Sequence, residues 1–442
     1  MLKRNQPLLP PGGIARDLFS LGSVQALSAL LPLATVPYLL RVIGLEAFGW
    51  YNLSLAVMNL GVAWVDFGFT VTGSREKAAL GAKKEKRREA EVATQQSPGP
   101  LSTDSLLYSR YLFTQLILLI GGVAAILLWV AAIPSWRAQA PVFLASTLLL
   151  PAQALMPAWW LQGSRQFTRL AQWQITGRLL FTLGVFSLVR EGDGSLKVSL
   201  LNGGSALLVA TAAMIQVVYA NKLRIVWPGW ATGIKMLRIN LPMFLGGVSS
   251  ALYTHSTLIV LELLAGARWV GMISALEKIV LVFRMAANSV QQVLVPRLAA
   301  MASQNSQQAA AFIRTIGTPV LLVGVAGSGL LWLFGTQILT LVIGLSQPEA
   351  LPMLSVLGIL PPLLALGCLT SGFLLGTRHI HSYGQSLMRA AAGGIGIHLS
   401  LIAFFGPWAT IASLVGAELI IVTSHLWAIR RMPIWPKQPS LR

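Results

Sequence analysis

The stretch YNLSLAVMNLGVAWVDFGF, residues 51–69, is an apolar run of the length that a helix needs to cross a lipid bilayer. Three polar residues interrupt it at intervals of seven: Asn52, Asn59 and Asp66. Because an α-helix advances about 100° per residue, a step of seven returns to within about 20° of the same face. The three side chains therefore form one polar stripe on a membrane helix, and we expect this stripe to face protein or water instead of lipid.

The composition of the whole chain agrees with a membrane protein. Of the 442 residues, 55% are hydrophobic and only 11% are charged, whereas soluble proteins carry about 25% charged residues. Apolar runs of about 20 residues recur from Phe19 almost to the C-terminus. The sequence predicts an all-α polytopic membrane protein with about 12 transmembrane helices, placed near 19–43, 47–72, 111–133, 141–162, 177–191, 196–220, 240–265, 269–296, 316–344, 351–376, 385–406 and 408–429.

The formal net charge of +19 records membrane topology and does not indicate a nucleic-acid partner, because cytoplasmic loops of multispanning proteins accumulate Lys and Arg. Most basic residues fall in the segments assigned to the inner side, and residues 74–110 form the longest of these. We therefore expect both termini and the 74–110 loop to be cytoplasmic. Within that loop, KKEKRREAE is typical either of a helix on anionic lipid or of a solvated charged segment. The N-terminal residues are not interpreted as a cleavable signal peptide.

An internal repeat relates the two parts of the chain. LEAFGWYNLSLAV, residues 45–57, and GARWVGMISALEKIV, residues 266–280, each begin a span after a short outer turn, with a glycine at Gly49 and Gly271. The repeat predicts two six-helix bundles, residues 1–220 and 221–442, around a central cavity, which is a common layout of transporters.

Asp66 admits two interpretations. A carboxylate within a membrane span is by default a candidate functional residue, so that Asp66 would couple transport to an ion while Asn59 keeps the same face wet. The alternative is structural: near the inner end of its span, Asp66 would be tied to backbone amides or to a neighbouring helix. We expect Asp66→Asn to be inserted at a near-normal level but to lose transport, and Asn59→Ala to be milder.

The predicted eighth span, EKIVLVFRMAANSVQQ, carries a second polar face. Glu277, Arg284, Asn288 and Gln291 lie within about 40° of one direction on a helix, and Lys278 lies about 100° away. An arginine in a wet cavity suits a phosphate, which its planar fork can bind with two hydrogen bonds. We interpret Arg284, Lys278, Asn288 and Gln291 as substrate-binding and Glu277 as ion-coupling; the alternative is an internal ion pair between Glu277 and Arg284.

Two further Glu and His pairs are also spaced by seven. His255 and Glu262 lie in the predicted seventh span, and Glu418 and His425 lie in the twelfth. Such faces could carry a proton, although Glu262 and His425 fit helix packing or an interface better. Glu418 is deeper in its span and is the third candidate for ion coupling, beside Asp66 and Glu277.

The sequence lacks the motifs of the common catalytic and nucleotide sites. It contains no His–Cys cluster with metal-ligand spacing, no GxxxxGK[ST] and no GxSxG. These absences indicate a transporter without an ATPase, cofactor or metal, and not an enzyme.

The segment LLPLATVPYLLRVIGLEAFGWYNLSLAVMNLGVAWVDFGFTVTGSREKA, residues 30–78, resembles the O-antigen and polysaccharide flippases of the polysaccharide-transporter family, a branch of the multidrug, oligosaccharidyl-lipid and polysaccharide exporters. The resemblance lies in the P-Y-L-x-R-V-x-G-x-x-x-F-G-x-Y turn, the D-F-G-F segment and the S-R-E entry to the inner loop. It continues more weakly in residues 270–298.

This resemblance implies movement of an undecaprenyl-pyrophosphate-linked oligosaccharide across the bacterial inner membrane by alternating access. It also implies membrane lipids, a polysaccharide polymerase and chain-length machinery as partners. Three alternatives stay open. A multidrug antiporter of the same superfamily would bind cationic drugs with carboxylates, whereas the eighth span is basic. An amino-acid or ion carrier would more often show unwound, glycine-rich half-helices. A polysaccharide polymerase or ligase would need a sizeable outer loop, whereas the outer loops here are short.

Overall fold

The structure is a computed structural model that describes residues 31, 34–90, 102–302, 306–342, 344, 347–377 and 379–432. Within these residues the regular secondary structure is α-helical, and no strand occurs. The all-α prediction is therefore confirmed for the described part of the chain. Most of the predicted first span, residues 19–43, lies outside it.

The described chain divides into two compact units. One comprises residues 42–271, called the N-unit here, and the other comprises residues 272–432 with the described residues up to Arg41, called the C-unit. The helices of the N-unit are α1 Gly44–Asp66, α2 Phe69–Ala90, α3 Thr103–Ala132, α4 Pro134–Ala138, α5 Ala140–Ser146, α6 Leu149–Leu155, α7 Ala158–Gly163, α8 Phe167–Leu188, α9 Ser195–Ala220 and α10 Trp230–Ala265.

The helix α11, Ala267–Ala302, begins in the N-unit and continues into the C-unit. The remaining helices belong to the C-unit and are α12 Ser306–Leu333, α13 Gly335–Val342, α14 Ala350–Leu357, α15 Leu360–Gly376, α16 Ile380–Phe405 and α17 Trp408–Arg430. The division into bundles 1–220 and 221–442, which rests on counting spans, stays a prediction.

Eight described helical segments are long and apolar enough to cross a membrane. The helix α10 raises the number to nine if its two parts, Trp230–Ser249 and Thr254–Ala265, form one span that bends by 50°. The predicted fifth and eighth spans are also helical, as α8 and α11, but charged residues such as Arg178 and Arg284 interrupt their apolar runs. The chain is a multi-pass helical protein, and the exact number of 12 spans stays a prediction.

The bounds of several predicted spans differ from those of the helices in the structure, and the fifth and fourth spans show why. The fifth span was expected at 177–191, whereas α8 begins at Phe167, because the arginine and glutamines of its first turns favour helix as strongly as apolar residues do. The fourth span, expected as one helix over 141–162, consists of α5, α6 and α7. Pro157 separates α6 from α7 because proline cannot donate a helical hydrogen bond.

Close contact between two helix backbones holds the N-unit together at the two glycines that define the sequence repeat. A Cβ atom at Gly49 of α1 would lie 1.8 Å from the carbonyl oxygen of Ala267, and one at Gly271 of α11 would lie 2.1 Å from that of Leu45. Any side chain at either position would therefore push the helices apart. Small residues that let backbones approach are a general device for packing membrane helices, where lipid removes the hydrophobic driving force.

We predict that Gly49→Ala lowers the amount of folded protein in the membrane and its melting temperature in detergent, because the atoms that the new methyl group meets belong to the backbone and cannot rotate away. Gly204→Ala is the matched control, since a Cβ at Gly204 in α9 would meet no atom within 4 Å. Thermal unfolding of both purified variants tests this contact. Equal melting temperatures for Gly49→Ala and Gly204→Ala would contradict it.

Candidate functional site

Asp66 lies where the first helix of the N-unit breaks. The helix α1 ends at Asp66, and the next two residues adopt left-handed backbone conformations, with φ of 46° at Phe67 and 78° at Gly68. A non-glycine residue in this region is uncommon, and the ring of Phe67 is fixed by stacking on Phe244, with centroids 4.1 Å apart. The chain then resumes as α2 at Phe69. The D-F-G-F segment therefore forms the break between two helices.

The carboxylate of Asp66 is surrounded by hydrogen-bond donors. It accepts hydrogen bonds from the hydroxyl of Thr70 and from Nε2 of Gln153 at 3.2 Å, and from the backbone amides of Gly68 and Thr70. Two of these donors belong to the start of α2 and one belongs to α6. These contacts correspond to the structural alternative, in which Asp66 ties backbone amides and a neighbouring helix together. The coupling role of Asp66 stays a prediction.

The other two members of the polar stripe have different surroundings. All three residues lie on α1, as the spacing predicts. Asn52 is buried, and its side-chain amide donates to the carbonyl oxygen of Phe48 at 2.8 Å. Asn59 is only half-buried. Of the two asparagines, Asn59 is therefore the more accessible to a ligand.

Two ion pairs connect the two ends of the predicted inner loop with each other. Lys77 of α2 contacts Asp104 of α3 at 2.9 Å and lies 3.7 Å from the ring centroid of Trp160. Arg110 of α3 pairs with Glu76 of α2. The helix α2 extends to Ala90 and so includes most of the predicted surface helix, whereas residues 91–101 lie outside the described part of the chain.

The second polar cluster lies in the C-unit and is organised by an ion pair. Nη1 of Arg284 on α11 lies 2.9 Å from Oε1 of Glu418 on α17. The two side chains differ in accessibility, because Arg284 is 40% exposed and Glu418 is 6% exposed. The structure therefore brings together two sequence-predicted candidates from spans far apart in the chain, and it pairs Arg284 with a partner on another helix.

The other candidates of the predicted eighth span lie on α11 near this pair in sequence. Glu277 and Lys278 are half-buried, as is Gln291, whereas Asn288 is exposed. Glu277 and Lys278 lie on the same helix as Arg284, so α11 and α17 together carry two basic and two acidic residues in this part of the C-unit. We call these four residues, Glu277, Lys278, Arg284 and Glu418, the charged cluster.

Histidine and tryptophan contacts involve two further ionisable candidates, His425 and Glu262. Nδ1 of the buried His425 lies 3.1 Å from the hydroxyl of Thr370 on α15, and its ring stacks on Tyr383 of α16. In the N-unit, Nε1 of Trp136 on α4 donates to the buried carboxylate of Glu262 on α10 at 2.5 Å. Both contacts join helices, in agreement with the packing interpretation of His425 and Glu262.

Three partners of the candidate residues were not predicted from sequence: Gln153, Trp136 and Thr370. Gln153 is an amide between Pro151 and Pro157 within an apolar run, which is a signal that marks a buried polar contact. Tryptophan and threonine are common residue types in membrane proteins, so Trp136 and Thr370 give no comparable signal. Among the described residues, no group of three or more His, Cys, Asp or Glu side chains is arranged to hold a metal ion.

Comparison with protein families and curated proteins gives consistent matches. The model of the family described as "Polysaccharide biosynthesis protein" matches residues 14–302. A "Putative O-antigen transporter" of Escherichia coli K12 is 23% identical over 413 residues, which cover 93% of this chain and 94% of that protein. A protein of the same description from Shigella dysenteriae is 21% identical over 428 residues, covering 94% and 100% of the two chains.

Solved structures with a similar fold are transporters of the MOP superfamily. An inward-facing multidrug resistance transporter of the MATE family superposes with a TM-score of 0.64 at 14% identity, covering 91% of this chain and 98% of that chain. A MOP superfamily transporter from Pyrococcus furiosus superposes with a TM-score of 0.56 at 14% identity, covering 95% and 94%. At this identity the likeness shows that the chain shares the fold of these proteins, and it says nothing of what the chain carries.

The hydrogen bonds of Asp66 lead to a prediction that differs from the near-normal level expected from sequence. In Asp66→Asn, one acceptor oxygen is replaced by an NH₂ group among several donors, and leaving a buried donor unsatisfied costs about 1–3 kcal/mol. We expect Asp66→Asn to lower the melting temperature and the membrane abundance, and Asn59→Ala to leave both nearly unchanged. Thermal unfolding in detergent and quantitative blotting of membranes measure these effects. A fully stable Asp66→Asn variant would argue against the structural role.

Proposed function

The chain belongs to the polysaccharide biosynthesis protein family, and we propose that it is a flippase for undecaprenyl-pyrophosphate-linked O-antigen or related polysaccharide repeat units. In this proposal, alternating access moves the glycan and its diphosphate across the bacterial inner membrane while the prenyl chain stays in lipid. Both curated relatives are described as O-antigen transporters. The family match covers most of the chain, and the fold is that of membrane transporters.

The observation that carries the proposal is the arginine at the centre of the charged cluster. The side chain of Arg284 is 40% exposed although it belongs to a long, largely apolar helix. A charge in such a position is costly unless it serves a ligand or a partner. The planar guanidinium matches phosphate oxygens in two-point contact, which an ammonium group cannot reproduce. We propose that Arg284 contacts the lipid diphosphate, with Lys278, Asn288, Gln291 and Asn59 as further substrate contacts.

The second candidate is a multidrug antiporter, which the similarity of the fold to MATE transporters favours. A site for cationic drugs would present unpaired carboxylates to the ligand. In the C-unit the reverse arrangement occurs, because the carboxylate of Glu418 is buried and the arginine is the exposed partner. This polarity supports an anionic substrate.

We propose that transport of the headgroup in one direction is driven by coupling to ion movement. Asp66, Glu277 and Glu418 are the proposed coupling residues. Each is a carboxylate within a helix that is largely apolar. For Asp66, which also caps α2, the informative quantity is glycan export per inserted molecule, because this ratio removes the effect of lower abundance. A polysaccharide polymerase, chain-length machinery and membrane lipids are the proposed partners.

We further propose that both termini and the 74–110 loop are cytoplasmic, which the excess of basic residues in this loop supports. Reporter fusions at Ser97 and near Gln347 are expected to report opposite sides, inside for Ser97 and outside for Gln347. Alkaline phosphatase and a cytoplasmic fluorescent reporter distinguish the two sides. If both fusions report the same side, the proposed topology is wrong.

We predict that Arg284→Gln abolishes most surface glycan, because it removes the positive charge that the diphosphate requires. Arg284→Lys is expected to retain only part of it, because it keeps the charge and loses the two-point fork. Surface glycan is measured relative to the membrane abundance of each variant. Arg389→Gln is the matched control, since this arginine of the C-unit lies over the ring of Trp427 at 5.5 Å and belongs to no part of the charged cluster. Full glycan display by both Arg284 variants would exclude this role.

A further inference from the structure

The two side chains of the ion pair between Arg284 and Glu418 differ in how far they are accessible. One guanidinium nitrogen of Arg284 lies 2.9 Å from one carboxylate oxygen, and the arginine keeps much of its side chain accessible while the carboxylate lies inside the C-unit. A guanidinium has five N–H donors, so a single short contact to one nitrogen leaves most of its binding capacity for another anion. The carboxylate therefore contacts the guanidinium without using all of its N–H donors.

The charges of the cluster balance without a substrate. By formal charge, Lys278 and Arg284 are positive and Glu277 and Glu418 are negative, so the four residues sum to zero. A diphosphate brings further negative charge, which a low-dielectric environment tolerates only when it is paired. It therefore competes with a carboxylate that already neutralises the arginine.

We propose that Glu418 is the internal counter-ion of the substrate site and that the diphosphate of the lipid-linked substrate binds Arg284 by displacing it. This inference rests on the proposed function. In the empty protein, Glu418 holds Arg284 at the position seen here. When the headgroup enters, its phosphate oxygens take the guanidinium in two-point contact, and the carboxylate loses its partner. When Glu418 pairs with Arg284 again, the headgroup is released.

Competition between Glu418 and the diphosphate explains how Arg284 can bind the headgroup and also release it. A displaced carboxylate in a buried position carries a desolvation penalty, and this penalty is subtracted from the binding free energy of the headgroup. The site therefore recognises the diphosphate without trapping it, as conduction through other membrane sites also requires. Glu418 acts through Arg284 and is a positioning residue that sets affinity and release.

The test is a binding measurement on the full chain purified in detergent, with farnesyl diphosphate as the soluble probe of the prenyl diphosphate headgroup. Glu418→Gln removes the competing charge, and we expect it to bind farnesyl diphosphate about tenfold more tightly than the wild type, which corresponds to about 1.4 kcal/mol. Arg284→Gln is expected to lose binding. The double variant Arg284→Gln with Glu418→Gln is expected to bind farnesyl diphosphate like Arg284→Gln, because Glu418 affects diphosphate binding only through the arginine.

Glu349→Gln, an exposed glutamate of the same unit, is the matched control and should bind like the wild type. In cells, Glu418→Gln should lower surface glycan per inserted molecule despite its tighter binding, because release is slowed. If Glu418→Gln does not fold, Glu418→Asp retains the charge but withdraws it by one methylene, and a severalfold gain in affinity is expected. Thermal unfolding identifies which variant to use.

Three outcomes separate this inference from the proposed function. Tighter binding by the Glu418 variant together with loss of binding by Arg284→Gln supports both. In the second outcome, the wild type binds through Arg284, but a stable Glu418 variant binds equally well or more weakly. The counter-ion role is then wrong, because the pair is a fixed structural contact. The flippase proposal stays intact. Absence of binding by the wild type, with full glycan display by Arg284→Gln, overturns the anionic substrate itself.

Discussion

A charged side chain within an apolar helix must find a partner, because the bilayer offers no water to solvate it. This constraint determines where the polar residues of the chain lie. The carboxylate of Asp66 is enclosed by amide and hydroxyl donors at the break after α1. The carboxylate of Glu262 receives the indole N–H of Trp136, and that of Glu418 pairs with Arg284. In each case the contact joins separate helices, so the same requirement that makes a buried charge costly also fixes the position of one helix against another.

Backbone approach supplies the other part of the packing. Between lipid-exposed helices there is little hydrophobic gain from association, and close van der Waals contact replaces it. At Gly49 and Gly271 the helices meet so closely that no Cβ fits. The glycines that mark the repeat in the sequence are thus explained by one contact inside the N-unit, where each leaves room for the backbone of the other helix.

The periodic features of the molecule could be predicted from sequence, whereas contacts between distant segments could not. The spacing of Asn52, Asn59 and Asp66 was enough to place them on one helix, since this depends only on helical geometry. The pairing of Arg284 with Glu418 was not predictable, although both residues were recognised as candidates, because nothing in either helix encodes which neighbour it packs against. The contact of Asp66 with Gln153 depends on helix breaks in the predicted fourth span, and a hydrophobicity pattern does not report such breaks. The length of α8 was underestimated because its polar first turns do not look like a membrane span.

The fold is shared with multidrug transporters at 14% identity, so the architecture alone does not determine what is carried. In the proposed function, the charge of the substrate is set by a small number of side chains, and the C-unit presents an arginine whose carboxylate partner lies inside the protein. Exchanging which member of such a pair is exposed would reverse the sign of the ligand that the same helices can accept. A scaffold of paired charges can therefore be adapted to cationic or anionic substrates by changing the accessibility of each partner, while the pairing that the membrane requires is kept.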